Sequence, residues 1–188
     1  MIALPVELRV PAVRVSALVL GAALLRAALQ PFGDGLSTAV FALCLAGVAW
    51  GWRQEDAFGR WGTGTSLIAG LGLGAILVAP LLGGALSDRP LQAFWQWGAI
   101  AALIASLEEI AIRGRLQQEW TQAGGPIAGV LMGALVFALI HLPHYGPGAM
   151  PLDFAVGVAL GGLRALTGRV LPGAIAHVMA DWGAWFWA

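Results

Sequence analysis

The stretch Ser106-Leu107-Glu108-Glu109-Ile110-Ala111-Ile112-Arg113 sets two adjacent carboxylates and a guanidinium in a segment that is otherwise almost wholly apolar. A charged side chain at the centre of a bilayer span costs about 2.5–3.5 kcal/mol on insertion scales, so it survives there when paired or facing a wet cavity, and it marks a functional site. Glu109 and Arg113 are four residues apart on a helix and share a face, which reads as an intramembrane ion pair holding the helix in position. Glu108 is turned about 100° away and is free to face something else. Two further motifs have the same spacing, Phe137-xxx-His141 and His177-xxx-Asp181. A buried carboxylate beside a histidine can activate water, and further donors can hold an oxyanion; together these are the requirements of peptide hydrolysis. Each motif alone also admits a structural role: glutamates in the headgroups, a histidine donating to a carbonyl at a helix end, a His–Asp hydrogen bond. Their conjunction on three helices favours a site.

The elements that must position these groups are membrane helices. The chain has 188 residues, 59% of them hydrophobic and only 11% charged, with no net charge. A soluble domain carries roughly 25% charge, so this is an integral membrane protein forming one domain over residues 1–188, all-α, a polytopic bundle of about seven transmembrane helices. Neutral net charge argues against nucleic acid as a partner. The single cysteine, Cys44, excludes a disulfide within the chain and reads as packing. Spans are expected near 15–30 (a retained first helix carrying Arg26), 36–52, 64–86, 91–120, 127–142, 152–166 and 170–187. Gly124-Gly125-Pro126 separates the fourth from the fifth, and His141-Leu-Pro-His-Tyr-Gly-Pro-Gly ends the fifth. Gly70-xxx-Gly74, Gly129-xxx-Gly133 and Gly157-xxx-Gly161 have the spacing that lets helix backbones approach closely in lipid. The polar loop Arg53–Arg60 and most of the other arginines fall on the side of the amino terminus, which the positive-inside rule makes cytoplasmic, with the carboxyl terminus outside. The expected location is the inner (plasma) membrane of a bacterium.

The order Glu-Glu-xxx-Arg, Phe-xxx-His, His-xxx-Asp resembles the CPBP family of intramembrane endopeptidases, also called the Abi or CAAX-protease family, over about residues 91–185. The resemblance implies a hydrolase with its catalytic groups buried between the fourth, fifth and seventh helices. It implies that Glu108 and His141 activate water, that Glu109 and Arg113 fix the helix with Phe137 in support, and that His177 and Asp181 bind the oxyanion. The family pattern usually has asparagine where this chain has Asp181, whose ionised carboxylate would repel an oxyanion. No cofactor is implied. The alternative within the same activity is a zinc site of Glu108, His141, His177 and Asp181, since imidazole and carboxylate suit that ion. Substrates compatible with the resemblance are a prenylated tail, a bacteriocin leader or a C-terminal sorting segment, each presented at the bilayer. A proton-coupled transporter or a non-catalytic membrane scaffold is the reading of another class; the lack of an internal repeat weighs against the transporter. Simple threading of the spans leaves one conflict. It sets Glu108 in the cytoplasmic half and His141 near the outer end, about 15 Å apart in depth at 1.5 Å per residue.

Overall fold

A computed structural model describes residues 6–53 and 61–187. Its helices are α1 (Val6–Leu29), α2 (Asp34–Ala49), α3 (Thr63–Val78), α4 (Leu91–Glu108), a π-helical segment (Glu109–Leu116), α5 (Gln117–Tyr145), α6 (Met150–Thr167) and α7 (Leu171–Trp187), with short 3₁₀ turns after α1 and α3. No strand occurs among the described residues. The breaks follow local chemistry: Gly33 and Gly146 take positive φ, Pro90 precedes α4, and Gly168 closes α6 in the left-handed conformation with its N–H on the Arg164 carbonyl. Most of the loop expected at 53–60 lies outside the described residues.

About seven spans were expected and about six helical stretches are found, since Leu91–Tyr145 forms one long stretch interrupted only by a kink at Gly125. A straight helix of those 55 residues would be about 80 Å long, far beyond a hydrocarbon core of about 30 Å. The stretch therefore folds back on itself at Gly125, whose φ of 84° no longer follows the helix, with Pro126 beginning the return leg. The expected Gly-Gly-Pro break is thus a sharp bend between two antiparallel legs.

Four stretches are long and apolar enough to cross a membrane: Val10–Phe32, Thr63–Gly83, Leu91–Tyr145 and Met150–Thr167; α2 is a shorter apolar helix. Large apolar side chains such as Leu24, Ile68, Ile76 and Ile127 point outward, 66–75% exposed, as lipid-facing positions should. Inside, Val19, Phe41, Leu45, Ile112, Leu116 and Phe137 join α1 and α2 to the π segment and α5.

The small-residue spacings mark the close crossings. Gly70 and Gly74 lie against α7, where an added Cβ would stand 2.6 Å from the Pro172 carbonyl oxygen or from the Met179 sulfur. Gly157 and Gly161 lie against α5, the first with room for no Cβ beside the Ala134 backbone at 2.8 Å. With little hydrophobic drive between helices in lipid, this backbone contact carries much of the association.

Candidate active site

Depth is set by the bend at Gly125. Glu108 and His141 lie almost equally far from it along the chain, one on each leg, so the antiparallel legs bring them to the same level. Contacts along the hairpin agree: Gly133 faces Gln117, and Phe137 faces Arg113. The 15 Å offset obtained by threading is corrected, because it counted the two legs from opposite membrane faces instead of from their shared turn.

Glu108 ends α4 and Glu109 opens the π segment; they are 4% and 0% exposed, so neither reaches the headgroups. A π turn widens the helix by bonding to the fifth residue, and such turns occur preferentially at functional sites. Arg113 stands one turn on, its Nη1 3.2 Å from Glu109 Oε1, in the expected ion pair. The approach lies off the hydrogen-bond axis, and the guanidinium nitrogens make no hydrogen bond among the described residues. Its second support is the Phe137 ring, 4.2 Å below the guanidinium carbon, a desolvated cation–π contact.

His177 on α7 enters between the two glutamates. Its Nδ1 is 3.2 Å from Glu109 Oε1, and its Nε2 faces Glu108 Oε2 at 3.9 Å and Asp181 Oδ1 at 3.8 Å. The first contact is a hydrogen bond, in which Nδ1–H donates; the other two are long enough to require a bridge. Gly173, one turn earlier on α7, makes the Glu109 contact possible, since a Cβ there would stand 2.7 Å from Glu109 Oε2. The side chain of Asp181 is 36% exposed against 6% for His177, so Asp181 stands at the mouth of the site.

His141 is held differently. Its Nδ1–H donates to the Phe137 carbonyl at 2.7 Å, which leaves Nε2 as the ring's acceptor. The Phe137 ring touches both histidines, with centroids 4.5 Å from His141 and 5.3 Å from His177. One phenyl ring thereby sets the spacing of the two imidazoles and shields Arg113. Tyr145 stacks on the far side of His141 at 5.8 Å and 13°. It completes the stripe 137, 141, 145, and this spacing was available to the sequence reading, which stopped at His141. The other unforeseen residue is Asp153 on α6, within electrostatic reach of His141, Glu108 and His177, with Oδ2 buried and without a hydrogen-bond partner. A lone acid in the first turn of an apolar span was the signal for it.

All seven expected site residues thus meet on α4, the π segment, α5 and α7. The direct contacts join His177 to both glutamates, while His141 is anchored to its own helix. Among the described residues no three His, Cys, Asp or Glu side chains are grouped closely enough to hold a metal ion as they stand.

Two buried carboxylates, a buried imidazole and a half-buried one thus lie together inside a bundle of apolar helices able to span a membrane. The chain matches the family described as type II CAAX prenyl endopeptidase Rce1-like over residues 90–183, from the start of α4 to near the end of α7. That is half of its length, and the protein belongs to this family of intramembrane peptidases. No curated protein and no solved structure matches it.

Proposed function

We propose that the protein is an intramembrane endopeptidase that hydrolyses a peptide bond of a membrane-anchored protein or peptide with a glutamate-activated water and no metal. The observation that carries this reading is the buried Glu108 facing a histidine already held by Glu109, level with a second histidine whose Nε2 is an open acceptor. Water between Glu108 and His141 gives a proton to the Glu108 carboxylate as its oxygen bonds to the scissile carbonyl carbon. The carbonyl oxygen becomes an oxyanion, and His177, acting as the imidazolium between the two glutamates with Nδ1–H committed to Glu109, offers Nε2–H to it. A preorganised donor aimed at developing charge is worth about 2.7–4 kcal/mol in a dry site. Glu108 then returns its proton to the leaving nitrogen as the C–N bond breaks, so one group acts as base and then as acid. Arg113 stands against Glu109, the acceptor for His177, and balances its charge. The groups stand in one domain whose catalytic core is about residues 91–185. The polar groups lie among helices apolar enough to cross a membrane, which supports a substrate that arrives by a lipid anchor or an apolar segment. The arginine distribution supports a cytoplasmic amino terminus, in what we take to be a bacterial inner membrane.

The test is Glu108→Gln in purified, reconstituted protein with a membrane-anchored peptide substrate. Loss of the base is expected to lower turnover by about 10²–10⁴-fold with the fold intact by thermal melting. Near wild-type turnover would remove Glu108 from that role, and no cleavage by the wild type would favour a scaffold.

A further inference from the structure

Ser66 on α3 is 1% exposed, and its Oγ has no hydrogen-bond partner among the described residues. It begins the stripe Ser66-xxx-Gly70-xxx-Gly74, whose spacing keeps all three residues on one helix face. That face meets α7: a Cβ at Gly70 would touch the Pro172 carbonyl and one at Gly74 the Met179 side chain, while a Cβ at Gly183 would touch Val78. The paired numbers rise together, so α3 and α7 run parallel and start at the same end of the bundle. Gly70 already stands against the first turn of α7, which begins at Leu171. Ser66, one turn earlier, lies beyond the start of that helix, and there a cavity of about 160 Å³ opens. Its α3 wall is outside the family match at 90–183.

Trp52, Thr63, Ser66, Arg169, Leu171 and Pro172 line the cavity, and no acid does. Two helix N-termini meet there, of 16 and 17 residues, each carrying about half a unit of positive charge. No side chain caps the first of them, at Gly62. Arg169 adds a full charge, and among the described residues its guanidinium makes no ion pair. Its position is set by the Thr167 hydroxyl, which accepts the Arg169 N–H at 3.2 Å. The Trp52 wall is equally fixed, with Nε1–H on Gln118 Oε1 at 3.2 Å and the ring 3.1 Å from where a Gly114 Cβ would stand. A guanidinium, a buried hydroxyl and unbonded N–H groups around one small space are donors without an acceptor, and such donors suit a tetrahedral oxyanion.

We propose that this cavity binds a phosphate group. The two sources of that chemistry are a phospholipid headgroup and free phosphate, and the surroundings favour the lipid. Thr63 starts a stretch long enough to cross a membrane, Thr63–Gly83, which sets the cavity at headgroup level. Leu171 in the wall and Ile68 beside it are large exposed apolar side chains, a surface for acyl chains. A phosphate held there ties α3 to the first turn of α7, the helix that carries Gly173 and His177. The proposal does not depend on the proteolytic reading of that site.

The experiment uses delipidated full-length protein in an uncharged detergent, read by native mass spectrometry and thermal melting. Four probes are added separately: dioleoylphosphatidylglycerol, inorganic phosphate, dioleoylglycerol without the phosphate, and oleate with a carboxylate in its place. Phosphatidylglycerol is expected to bind one-to-one and to raise Tm by about 5 °C at a hundredfold excess over Kd, and dioleoylglycerol to do neither. Arg169→Gln should raise the Kd about tenfold or more, the weight of one charge-assisted hydrogen bond. Arg169→Lys should keep part of the affinity, and Ser66→Ala should weaken it about threefold. Arg14→Gln, which removes an exposed arginine that does not line the cavity, should change nothing. A response to inorganic phosphate that Arg169→Gln abolishes, with none to phosphatidylglycerol, supports the phosphate site and assigns it to the soluble ion. An equal response to oleate or dioleoylglycerol, a phosphatidylglycerol response that survives Arg169→Gln, or no response to either phosphate probe overturns the proposal. Because Arg169 is exposed, its variants should melt like the wild type without ligand, which keeps lost binding distinct from lost folding.

Discussion

The two ends of the bundle are held together by different means. Between α1 and α2 the contact is apolar, with Val19, Phe41 and Leu45 almost fully buried. Between the α4–α5 hairpin and α7 the interior carries Glu108, Glu109, Arg113 and His177, each at most 5% exposed. The first kind of contact is tolerant, since an apolar side chain can be replaced by another of similar volume at small cost. The second is brittle, because each charge is compensated by a partner only a few ångströms away and removal of one strands the other. The family match covers the brittle region and stops short of the tolerant one. Chemistry specifies the pairings of 90–183, whereas α1 and α2 must supply shape.

Arg113→Ala against Leu45→Ala breaks the comparison if it is wrong. Losing Arg113 leaves Glu109 uncompensated at 0% exposure and is expected to cost about 3–5 kcal/mol of stability. Activity should fall with it, because His177 loses a properly charged anchor. Leu45→Ala removes a fully buried side chain and is expected to cost about 2–5 kcal/mol, toward the lower end in lipid, with the turnover of the folded fraction unchanged. Thermal melting in nanodiscs and kcat per folded molecule separate the two. An Arg113→Ala protein of full stability but no activity would make Arg113 a substrate-binding group.

Gly173→Ala sharpens the same point with a single methyl group. The new Cβ would stand 2.7 Å from Glu109 Oε2, and overpacking of this sort costs about 1–3 kcal/mol. The carboxylate must shift, taking its bond to His177 Nδ1 with it, so kcat should fall by about tenfold or more while KM changes little. Gly72, beside which nothing lies within 4 Å, is the control. An alanine there should change kcat by less than about twofold, and equal effects at both positions would mean that Gly173 does not act through Glu109.

Much of this arrangement could be read from residue types and periodicity. Ionisable groups in apolar spans pointed to the site, the i, i+4 spacings to Glu109–Arg113 and His177–Asp181, and the glycine pairs to close backbone crossings, though not to their partners, which are α7 for α3 and α5 for α6. Pairing between helices was harder, because depth across a bundle depends on where the chain turns. Counting from Gly125 would have matched Glu108 with His141, but counting from an assumed membrane boundary did not. The π segment left no signal in the pattern, since Glu109–Leu116 contains no proline and a single glycine, and its residue types suit an ordinary helix. Nor did spacing foretell that His177 would take both glutamates, as that depends on the antiparallel approach of α7 to α4, which brings Trp182 Nε1–H to the Gly98 carbonyl at 3.0 Å.

Asp181→Asn is expected to have the smallest effect and to separate the two mechanisms most cleanly. Asp181 Oδ1 is 3.8 Å from His177 Nε2, at the open side of the site. In the glutamate mechanism its carboxylate orients His177 at long range but opposes an oxyanion forming on the same Nε2. An asparagine keeps the shape, removes the negative charge and adds an N–H donor that can join His177 in holding the oxyanion. Turnover should be retained or rise by a few fold, and should persist in chelator. If zinc were bound by Glu108, His141, His177 and Asp181, the same change would delete an anionic ligand, and metal content would fall together with cleavage. Metal analysis and chelator-treated turnover on one preparation read both quantities. Asp181→Ala is the necessary companion, because it removes the repulsion without supplying the donor. Activity in the order Asn, then Asp, then Ala would identify the amide N–H as the useful group, whereas equal gains from Asn and Ala would show that relief of charge alone matters.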